Sequence, residues 1–400
     1  MKIVMFCDFY DPSLLYQENL VAEQYVKLGH EVTVIASTFI SIFDFMADRY
    51  NPASPARTEH AKGVKIVRLP YRINFLSRVR FFGGVDSLLK SEAPELIFVH
   101  DIMFNLVNAV RYVRRHPHVR MILDYHADYS NSGKNWLSRR VLHGMLRRAV
   151  LSLARPHLQR IFPVTPASAK FLHELYGVPH REMELLPLGT DMALVADVQQ
   201  SGADRSPRLL YGIGENDFVI FTGGKLTPGK RTELLIEAFK QLDKPDSWLV
   251  IAGDSAAGEA EYKASLMAAA QGCPRIVFTG WLDTRPLFEH IGIADIAVFP
   301  SSQSVVWQHA IGMGKPVIIG DPAARKDGRQ DFSYLNTYNN VLIRENEGTS
   351  ARWILDAIRQ LADDPGRRTL MAEGARRVAD ELLDWNRTIR RTLRFNAAGQ

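Results

Sequence analysis

The chain has 400 residues, of which 46% are hydrophobic and 23% are charged, and it carries a formal net charge of +5. This composition excludes a disordered chain, and the length is sufficient for two ordinary domains with hydrophobic cores. No run of about eighteen uncharged apolar residues occurs, so we expect no membrane-spanning helix.

The first segment, MKIVMFCDFYDP, predicts a buried strand. Its apolar run is too short, and is interrupted too soon by Asp8 and Asp11, for a signal peptide. The two cysteines, Cys7 and Cys273, each lie in or beside an apolar, strand-like segment. This usage argues against a disulfide framework and fits a reducing compartment, so we predict a cytoplasmic protein.

Short β-branched runs alternate with longer amphipathic segments along the whole chain, which predicts a parallel α/β architecture. The predicted strands of the first half are residues 2–7, 31–36, 64–69, 95–100, 120–125 and 160–164. After a strand-poor stretch at residues 191–207 the rhythm restarts, with strands at residues 217–222, 247–252, 275–279, 295–299 and 316–320. We therefore predict two doubly wound, Rossmann-like parallel-sheet domains that face each other across a cleft. Their predicted bounds are 1–190 and 191–384, and a helix at 385–400 is expected to pack back onto the first domain.

The loop after the first strand and the helix start that follows it carry polar side chains. These are Tyr16, Gln17, Glu18 and Asn19, which we place at the cleft. They either bind hydroxyl groups or cap the helix, and the two roles are compatible.

Basic residues cluster in three stretches of the first half, at residues 72–82, 112–120 and 137–160. The third has the spacing of a basic amphipathic helix. These stretches are either solvated faces beside an ordinary core or a surface for an anionic membrane or acceptor. No nucleic-acid-binding module accompanies the charge, so we expect no nucleic-acid partner.

His126 and Asp128 follow the predicted strand RMILDY, at the end where a cleft residue belongs. We predict that they are catalytic, either assisting a proton transfer or positioning a ligand. The alternative is a loop histidine with an ordinary hydrogen bond. His100 and Asp101, after another predicted strand, are a second candidate pair.

A basic, glycine-containing loop, GGKLTPGKR, occupies residues 223–231 between a predicted strand and an amphipathic helix. Gly224 allows a close backbone approach, while Lys225 and Lys230 can converge on one anionic group at the helix start. The loop is neither a Walker motif nor G-x-G-x-x-G. It predicts a diphosphate site, with a surface turn bearing two solvated lysines as the alternative.

Four further segments accompany this loop in a fixed order. They are VTPASAKFLHELYGVPHREMELLPLGTD (164–191), LVIAGD (249–254), VFTGWLDTRPLFEHIGIADIAVFPSS (277–302) and AIGMGKPVIIGD (310–321). Together the five segments resemble the retaining, nucleotide-sugar-dependent glycosyltransferases of GT-B fold, the group 1 or family 4-like enzymes. The resemblance covers most of the chain.

The resemblance implies that Lys225 and Lys230 bind the donor phosphates. It also implies that Gly280, Trp281 and Leu282 line the pocket for the nucleotide base, although Trp281 can equally be a half-buried loop aromatic. A histidine near the reacting sugar is carried over to His126. Two lysine charges can stabilise the departing diphosphate, so we expect no metal ion and no cofactor.

One segment departs from the family pattern, because the usual pair of glutamates is missing from PSSQSVVWQHAIGMGKP. His309 occupies the position of the second glutamate of the family pattern, and Gln303 or Ser304 lies near the position of the first. His309 is either a hydrogen-bond donor to the ribose or a histidine with another partner on its helix. We assign all three residues to the donor site.

The resemblance implies transfer of a hexose from a nucleoside diphosphate sugar to a surface glycan or a lipid-linked acceptor, with retention of configuration. In such a reaction we assign Tyr16, Gln17, Glu18 and Asn19 to the acceptor side of the cleft. His126 and Asp128 would either assist the deprotonation of the acceptor hydroxyl or position the donor sugar. We expect the basic first domain to lie close to the inner face of a membrane. Hydrolase motifs such as G-x-S-x-G and H-E-x-x-H are absent. The alternatives are a GT-B nucleotide-sugar epimerase and a catalytically weak partner protein that binds glycans or nucleotides.

Overall fold

The computed structural model describes residues 1–13, 16–48, 54–129, 131–133, 135–255, 257–301, 304–320, 332–344 and 349–394. The chain divides into two compact units, which we call unit 1 and unit 2. Unit 1 comprises Met1–Pro187 with Thr388–Gln400, and unit 2 comprises Leu188–Arg387. No helix in these described ranges is long and apolar enough to cross a membrane.

Unit 1 alternates strands and helices around one sheet. Its strands are β1 (Lys2–Phe6), β2 (Glu31–Ser37), β3 (Arg57–Ala61), β4 (Val64–Leu69), β5 (Tyr71–Phe75), β6 (Val79–Phe82), β7 (Leu96–His100), β8 (Arg120–Tyr125) and β9 (Arg160–Pro163). Its helices are α1 (Gln17–Lys27), α2 (Ile42–Asp48), α3 (Val85–Glu92), α4 (Leu106–Arg115), α5 (Arg148–Ala154) and α6 (Pro166–Tyr176), with a π-helical segment at Ser138–Arg147.

The seven strands of the main sheet are ordered β3-β4-β2-β1-β7-β8-β9. All neighbours are parallel except β3 and β4. Parallel strands covered by helices on both faces are nearly continuously apolar, and β1 shows this: four of its five residues are buried. The strand order reverses between β1 and β7, so a crevice opens at their carboxyl ends.

Unit 2 repeats this plan with six strands. Its strands are β10 (Phe218–Gly223), β11 (Ser247–Ala252), β12 (Ile276–Gly280), β13 (Ile296–Phe299), β14 (Val317–Ile319) and β15 (Val341–Ile343). Its helices are α7 (Met192–Ser201), α8 (Ser206–Tyr211), α9 (Thr232–Lys240), α10 (Ala260–Ala269), α11 (Thr284–Gly292), α12 (Val306–Gly312), α13 (Ala351–Ala362) and α14 (Pro365–Val378), followed by a π-helical turn at Ala379–Leu383 and by the start of α15 (Trp385–Thr392).

The sheet of unit 2 is entirely parallel and ordered β12-β11-β10-β13-β14-β15. Its strand order reverses between β10 and β13, and two hydrophobic clusters cover its two faces. The predicted α/β fold with two Rossmann-like domains is therefore confirmed. All the predicted strands are present, and their ends differ from the prediction by no more than one residue.

The prediction missed three strands of unit 1, namely β3 and the two strands β5 and β6 of the hairpin. The hairpin spans most of residues 72–82, which the sequence marked as a basic stretch. The alternation of apolar and polar residues that indicates a strand is obscured there because Arg80 points inward. Its guanidinium pairs with Asp8 and lies over the rings of Phe9 and Phe45. An inward arginine therefore conceals the strand pattern.

The segment 388–394 completes unit 1. Arg391 donates from Nε to Glu184 Oε1 at 2.8 Å and from Nη2 to the carbonyl of Leu185 at 3.0 Å. The hydroxyls of Thr392 and Tyr25 are 2.6 Å apart, and both side chains are buried. Helix α15 thus begins in unit 2 and ends within unit 1.

Candidate functional site

The carboxyl ends of β10 and β13 in unit 2 border a narrow pocket. It is lined by Thr222, Gly223, Gly224, Lys225, Leu226, Lys230, Thr232, Phe299, Pro300 and Ser301. This is the point where the strand order reverses, and ligands of doubly wound sheets bind at such points. The structure therefore brings the glycine-lysine loop to the place where a ligand is expected.

Both lysines of the loop line this pocket. Lys225 is exposed, whereas Lys230 is half-buried in a short 3-10 turn, Pro228–Lys230, just before α9. Burial lowers the pKa of Lys230 to about 8. The neighbouring Arg231 instead pairs with Glu233 at 2.7 Å and lies outside the pocket lining. The cations of the pocket wall are thus Lys225 and Lys230.

Three glycines with positive φ end three adjacent strands of this sheet. Gly224 (φ +121°), Gly253 (φ +137°) and Gly280 (φ +72°) follow or end β10, β11 and β12. The Gly253 amide donates to the carbonyl of Gly280 at 2.8 Å, and the Gly224 amide to that of Ala252 at 2.9 Å. A Cβ at Gly253 would lie 1.9 Å from the Gly224 carbonyl oxygen. Only glycine allows the loops to approach this closely.

The predicted base pocket lies beside this glycine row. Trp281 and Leu282 follow Gly280 directly; Trp281 is 63% exposed, and Leu282 packs partly against the core of unit 2. None of the three lines the lysine pocket. The position of Trp281 is compatible with either predicted role, as a stacking partner or as a loop aromatic.

The other wall of the pocket comes from β13 and the turn before α12. Ser301 is 5% exposed and lines the pocket. Ser304 lies close to the loop, because a Cβ at Gly224 would be 3.1 Å from its hydroxyl oxygen. That hydroxyl also accepts from the Val306 amide at 3.4 Å. Gln303 lies outside the described residues.

His309 is buried within unit 2, away from the pocket lining. Its Nδ1 is 3.1 Å from the Thr190 hydroxyl, its ring packs on Phe288, and burial lowers its pKa to about 4. The ring is neutral at physiological pH and is engaged by Thr190. A role at the ribose stays a prediction, and the packing indicates the alternative, a histidine with its own partner.

Unit 1 has a larger cavity, of about 230 Å³, at its own point of strand reversal. Residues following β1, β2 and β7 line it together with the start of α1 and the hairpin, namely Asp8, Phe9, Asp11, Tyr16, Glu18, Ile40, Ser41, Ile42, Arg80, His100 and Asp101. Aromatic and aliphatic side chains form part of the wall, and carboxylates, two hydroxyls, a guanidinium and an imidazole form the rest. Such a mixture suits a polyhydroxylated ligand.

The four predicted acceptor-side residues divide into two pairs. Tyr16 and Glu18 line the cavity. Gln17 and Asn19 are buried, and the Asn19 amide donates to the carbonyl of Asp11 at 2.6 Å. Tyr16 precedes α1 without capping it through its side chain.

His100 and His126 share one carboxylate at the ends of β7 and β8. Asp124 Oδ2 is 3.0 Å from Nδ1 of His100 and 2.9 Å from Nε2 of His126. Burial opposes a charged ring, yet the carboxylates of Asp124 and Glu18 raise the pKa of His100 well above its ordinary value. Burial alone would likewise raise the pKa of Asp124, but the two histidines outweigh it and hold that pKa well below its usual range.

His100 lines the cavity, whereas His126 and Asp128 do not. Asp128 is buried, and its backbone amide donates to Asn131 Oδ1 at 3.0 Å, within its own loop. The second candidate pair, His100 and Asp101, therefore has the more direct access to the cavity. One sequence signal could have pointed to the missed Asp124, since it is a charged residue near the end of an otherwise apolar run, MILDY.

Among the described residues, the side chains of His100, Asp124 and His126 form a group that could hold a metal ion. The ligand atoms of His100, Asp124 and His126 all lie within 4.8 Å of one another. Hydrogen bonds account for both short contacts to Asp124. The prediction that no metal is needed stays a prediction.

Comparisons with known sequences bear on both units. Residues 19–189 match the family described as Glycosyl transferase 4-like domain, and residues 217–364 match the family described as Glycosyl transferases group 1. The chain is 26% identical over 247 residues to the D-inositol 3-phosphate glycosyltransferase of Kineococcus radiotolerans and 28% identical over 242 residues to that of Geodermatophilus obscurus. These alignments cover 58% of this chain in each case, and 56% and 50% of the relatives. The chain thus spans about half the length of the curated relatives it matches.

A solved structure of similar fold is that of the Anabaena protein HepE in complex with UDP. The TM-score is 0.69, the identity is 18%, and the alignment covers 98% of this chain and 99% of that one. At this level of identity the similarity concerns the fold alone.

Proposed function

Because this chain belongs to the group 1 glycosyltransferases of GT-B fold, we propose that it transfers a hexose from a nucleoside diphosphate sugar to an acceptor hydroxyl. The acceptor in this proposal is a glycan or a lipid-linked glycan. In the reaction the bond from the anomeric carbon to the diphosphate breaks. A bond to the acceptor oxygen forms, and the hydroxyl proton is released.

The observation that carries the proposal is that Lys225 and Lys230 both line the same pocket of unit 2. A diphosphate gains negative charge as it leaves, and fixed positive charges stabilise that change. The desolvated ammonium of Lys230 interacts more strongly with an anion than a solvated one would. This supports a leaving group held by lysines.

The stereochemical part of the proposal is retention of configuration. None of the described residues that line the lysine pocket carries a carboxylate, so that lining offers no carboxylate nucleophile for a covalent glycosyl intermediate. We therefore propose that the acceptor attacks the face from which the diphosphate departs. An inverted product, observed by NMR of the anomeric proton, would contradict this part alone.

The cavity of unit 1 supports a glycan acceptor. Its wall combines the Phe9 ring with the polar groups of Tyr16, Glu18 and His100. Sugars present an apolar ring face and several hydroxyls, and such a surface binds both.

A lipid-linked acceptor is supported by an apolar and basic surface on unit 1. The hairpin tip exposes Phe75 (63%) and Leu76 (76%), and the segment that begins the π-helix exposes Trp136 (71%). Arginines flank both elements: Arg72 and Arg78 on the hairpin, and Arg140 and Arg148 on the helix, are exposed. Apolar side chains with flanking arginines bind at the interface of an anionic membrane.

The hairpin and the helix are neighbours. Burial, together with the positive charges of Arg147 on the helix and Arg78 on the hairpin, lowers the pKa of His143 to about 4. We call the exposed residues of both elements the apolar-basic face of unit 1. The positive charge of this face fits anionic lipids.

The donor proposal is tested by binding and turnover with UDP-, GDP- and ADP-sugars. The Lys230→Ala variant is expected to lose about tenfold to a hundredfold in affinity for the preferred nucleotide, because it loses a charged hydrogen bond. Lys240→Ala, at the far end of α9, is the matched control and should bind as the unaltered protein does. Full activity of Lys230→Ala would overturn the proposal. Tight binding without turnover would favour the partner-protein alternative.

The membrane contact is tested by sedimentation with phosphatidylcholine vesicles, with and without phosphatidylglycerol. We expect binding that requires the anionic lipid and is lost in the double variant Phe75→Ser, Leu76→Ser. The control is Leu209→Ser, Leu210→Ser, which removes an equally exposed leucine pair from unit 2. Equal vesicle binding by both variants would refute a role for the hairpin tip.

A further inference from the structure

Asp124 is a fully buried carboxylate at the end of β8, and it connects two loops of unit 1. Besides the two histidines, its Oδ1 accepts from the Asp101 amide at 3.3 Å. The Asp101 side chain in turn accepts from the His126 amide at 3.0 Å. The loops after β7 and β8 are thereby held to each other through Asp124 and Asp101.

The sheet places the shared carboxylate between the rings. His100 and Asp124 are directly opposed in the register of β7 and β8. His126 is two residues beyond Asp124, and the centroids of the two imidazole rings are 4.5 Å apart. An isolated carboxylate at this depth would be strongly disfavoured, and its histidine partners make it tolerable.

The hydrogen bonds assign a proton to a specific nitrogen of each ring. A carboxylate only accepts, so Nδ1 of His100 and Nε2 of His126 must both carry a proton. In neutral His126 the lone pair is then on Nδ1. The second nitrogen of His100, Nε2, lies 3.8 Å from Glu18 Oε2 at the cavity wall.

We propose that Asp124 is a positioning residue for the transfer reaction: it holds His100 at the cavity with a proton on Nδ1 and fixes His126 as the Nε2–H tautomer. This inference rests on the proposed function for its link to catalysis. Asp124 itself is buried and does not line the cavity. It acts through the two rings, one at the acceptor cavity and one whose Nδ1 can accept a proton.

The charged groups around His100 agree with this assignment. Those that face it or lie close by are Asp124 from β8, Glu18 from α1, Asp101 and His126 from the loops, and Cys7 and Asp8 from the end of β1. The carboxylates outnumber the cations, and Asp8 is itself paired with Arg80. A protonated His100 therefore has charge partners on more than one side.

The primary measurement is the ¹⁵N NMR spectrum of the histidine rings in the unaltered protein, treated with EDTA, at pH 7. We expect His126 to carry its proton on Nε2 and His100 to carry one on Nδ1. A neutral His126 protonated on Nδ1 would overturn the proposal. So would a stoichiometric metal ion that survives purification on these three side chains. This measurement needs neither a variant nor an acceptor, so it separates the proposal from failure of the proposed function.

The second measurement uses Asp124→Asn, which keeps the size of the side chain and removes its charge. We expect kcat to fall by about tenfold or more, since the rings lose their fixed protonation, with the KM for the donor unchanged. The donor pocket is in unit 2 and has no part in the change. The His126 tautomer preference should weaken in the same variant.

The matched control is Asp86→Asn, an exposed aspartate of unit 1 that pairs with Arg111. It should leave kcat and both ring spectra unaltered. A folded Asp124→Asn protein with unchanged kcat and unchanged ring spectra would reduce Asp124 to a structural residue. An equal rise in the donor KM would also contradict a role confined to unit 1.

Discussion

Lys230 combines a positive charge with a half-buried position. The turn Pro228–Lys230 sets its ammonium into the wall of the unit 2 pocket, and burial lowers its pKa to about 8. A lysine of this kind is charged at physiological pH but loses its charge within the accessible alkaline range. Its protonation can therefore be read from the pH dependence of anion binding.

The affinity of the lysine pocket for a nucleoside diphosphate, with UDP as the probe, should fall as the pH rises through about 8. A lowered pKa in the free protein means that the binding-competent, charged form is fully present below that pH and is depleted above it. Between pH 7 and pH 9 the charged fraction of Lys230 drops about tenfold, and the affinity should follow. Isothermal titration calorimetry at several pH values measures this.

Lys230→Arg is the control for that pH series. Arginine stays charged over the whole range, so the variant should show a flatter profile even if its affinity at pH 7 differs. Identical profiles for lysine and arginine would show that another group causes the decline.

At the residue scale, sequence reasoning found the groups whose position follows from chain order alone. Lys225 and Lys230 stand between a strand and a helix, so their place at a sheet edge was predictable. The surroundings of His309 were not predictable, because its partner Thr190 is 119 residues away along the chain. The importance of Asp124 likewise depends on a contact with His100 across two strands, which no local pattern contains.

At the scale of elements, the three loops that end β10, β11 and β12 pack against one another through glycine. Gly253 has the tightest contact, since an added methyl group would lie 1.9 Å from the Gly224 carbonyl oxygen at a φ of +137°. Any side chain there must displace the loop that carries Lys225.

Gly253→Ala should therefore destabilise unit 2 by about 1–3 kcal/mol and weaken UDP binding, because the strained position forces the lysine loop to move. Calorimetry of thermal unfolding, in which the two units can unfold separately, measures the first effect, and titration with UDP measures the second. Gly258→Ala is the control, since a Cβ there meets nothing within 4 Å. If both variants resemble the unaltered protein, the glycine row does not shape the pocket.

Most strands of the two sheets were predicted, whereas β3, β15 and the hairpin of β5 and β6 were not. Strands such as β10 are buried on both faces and read as continuous apolar runs. The hairpin has only one protected side, where Arg80 meets Asp8 across 72 positions of the chain. A charge that is buried through a distant partner looks the same in the sequence as a charge in water.

At the scale of the whole molecule, unit 1 is assembled from two distant parts of the chain. Residues 388–394 pack with Met1–Pro187 although all of unit 2 intervenes. Contacts over such separations close large loops and form late in folding. Unit 1 therefore lacks part of its packing until the segment after unit 2 is in place.

Arg391 is the residue whose loss best tests this dependence. It bonds Glu184 at 2.8 Å and the Leu185 carbonyl at 3.0 Å, and its side chain is 24% exposed. Arg391→Ala should cost unit 1 about 1 kcal/mol, a value kept small because solvent reaches both partners. The unfolding transition of unit 1 should move to lower temperature, while that of unit 2 stays in place.

The adjacent Arg390 is exposed on the same helix, so Arg390→Ala removes an equal charge without these contacts and should leave both transitions unchanged. Equal shifts for the two variants would mean that net charge, and not the docking of this segment, sets the stability of unit 1.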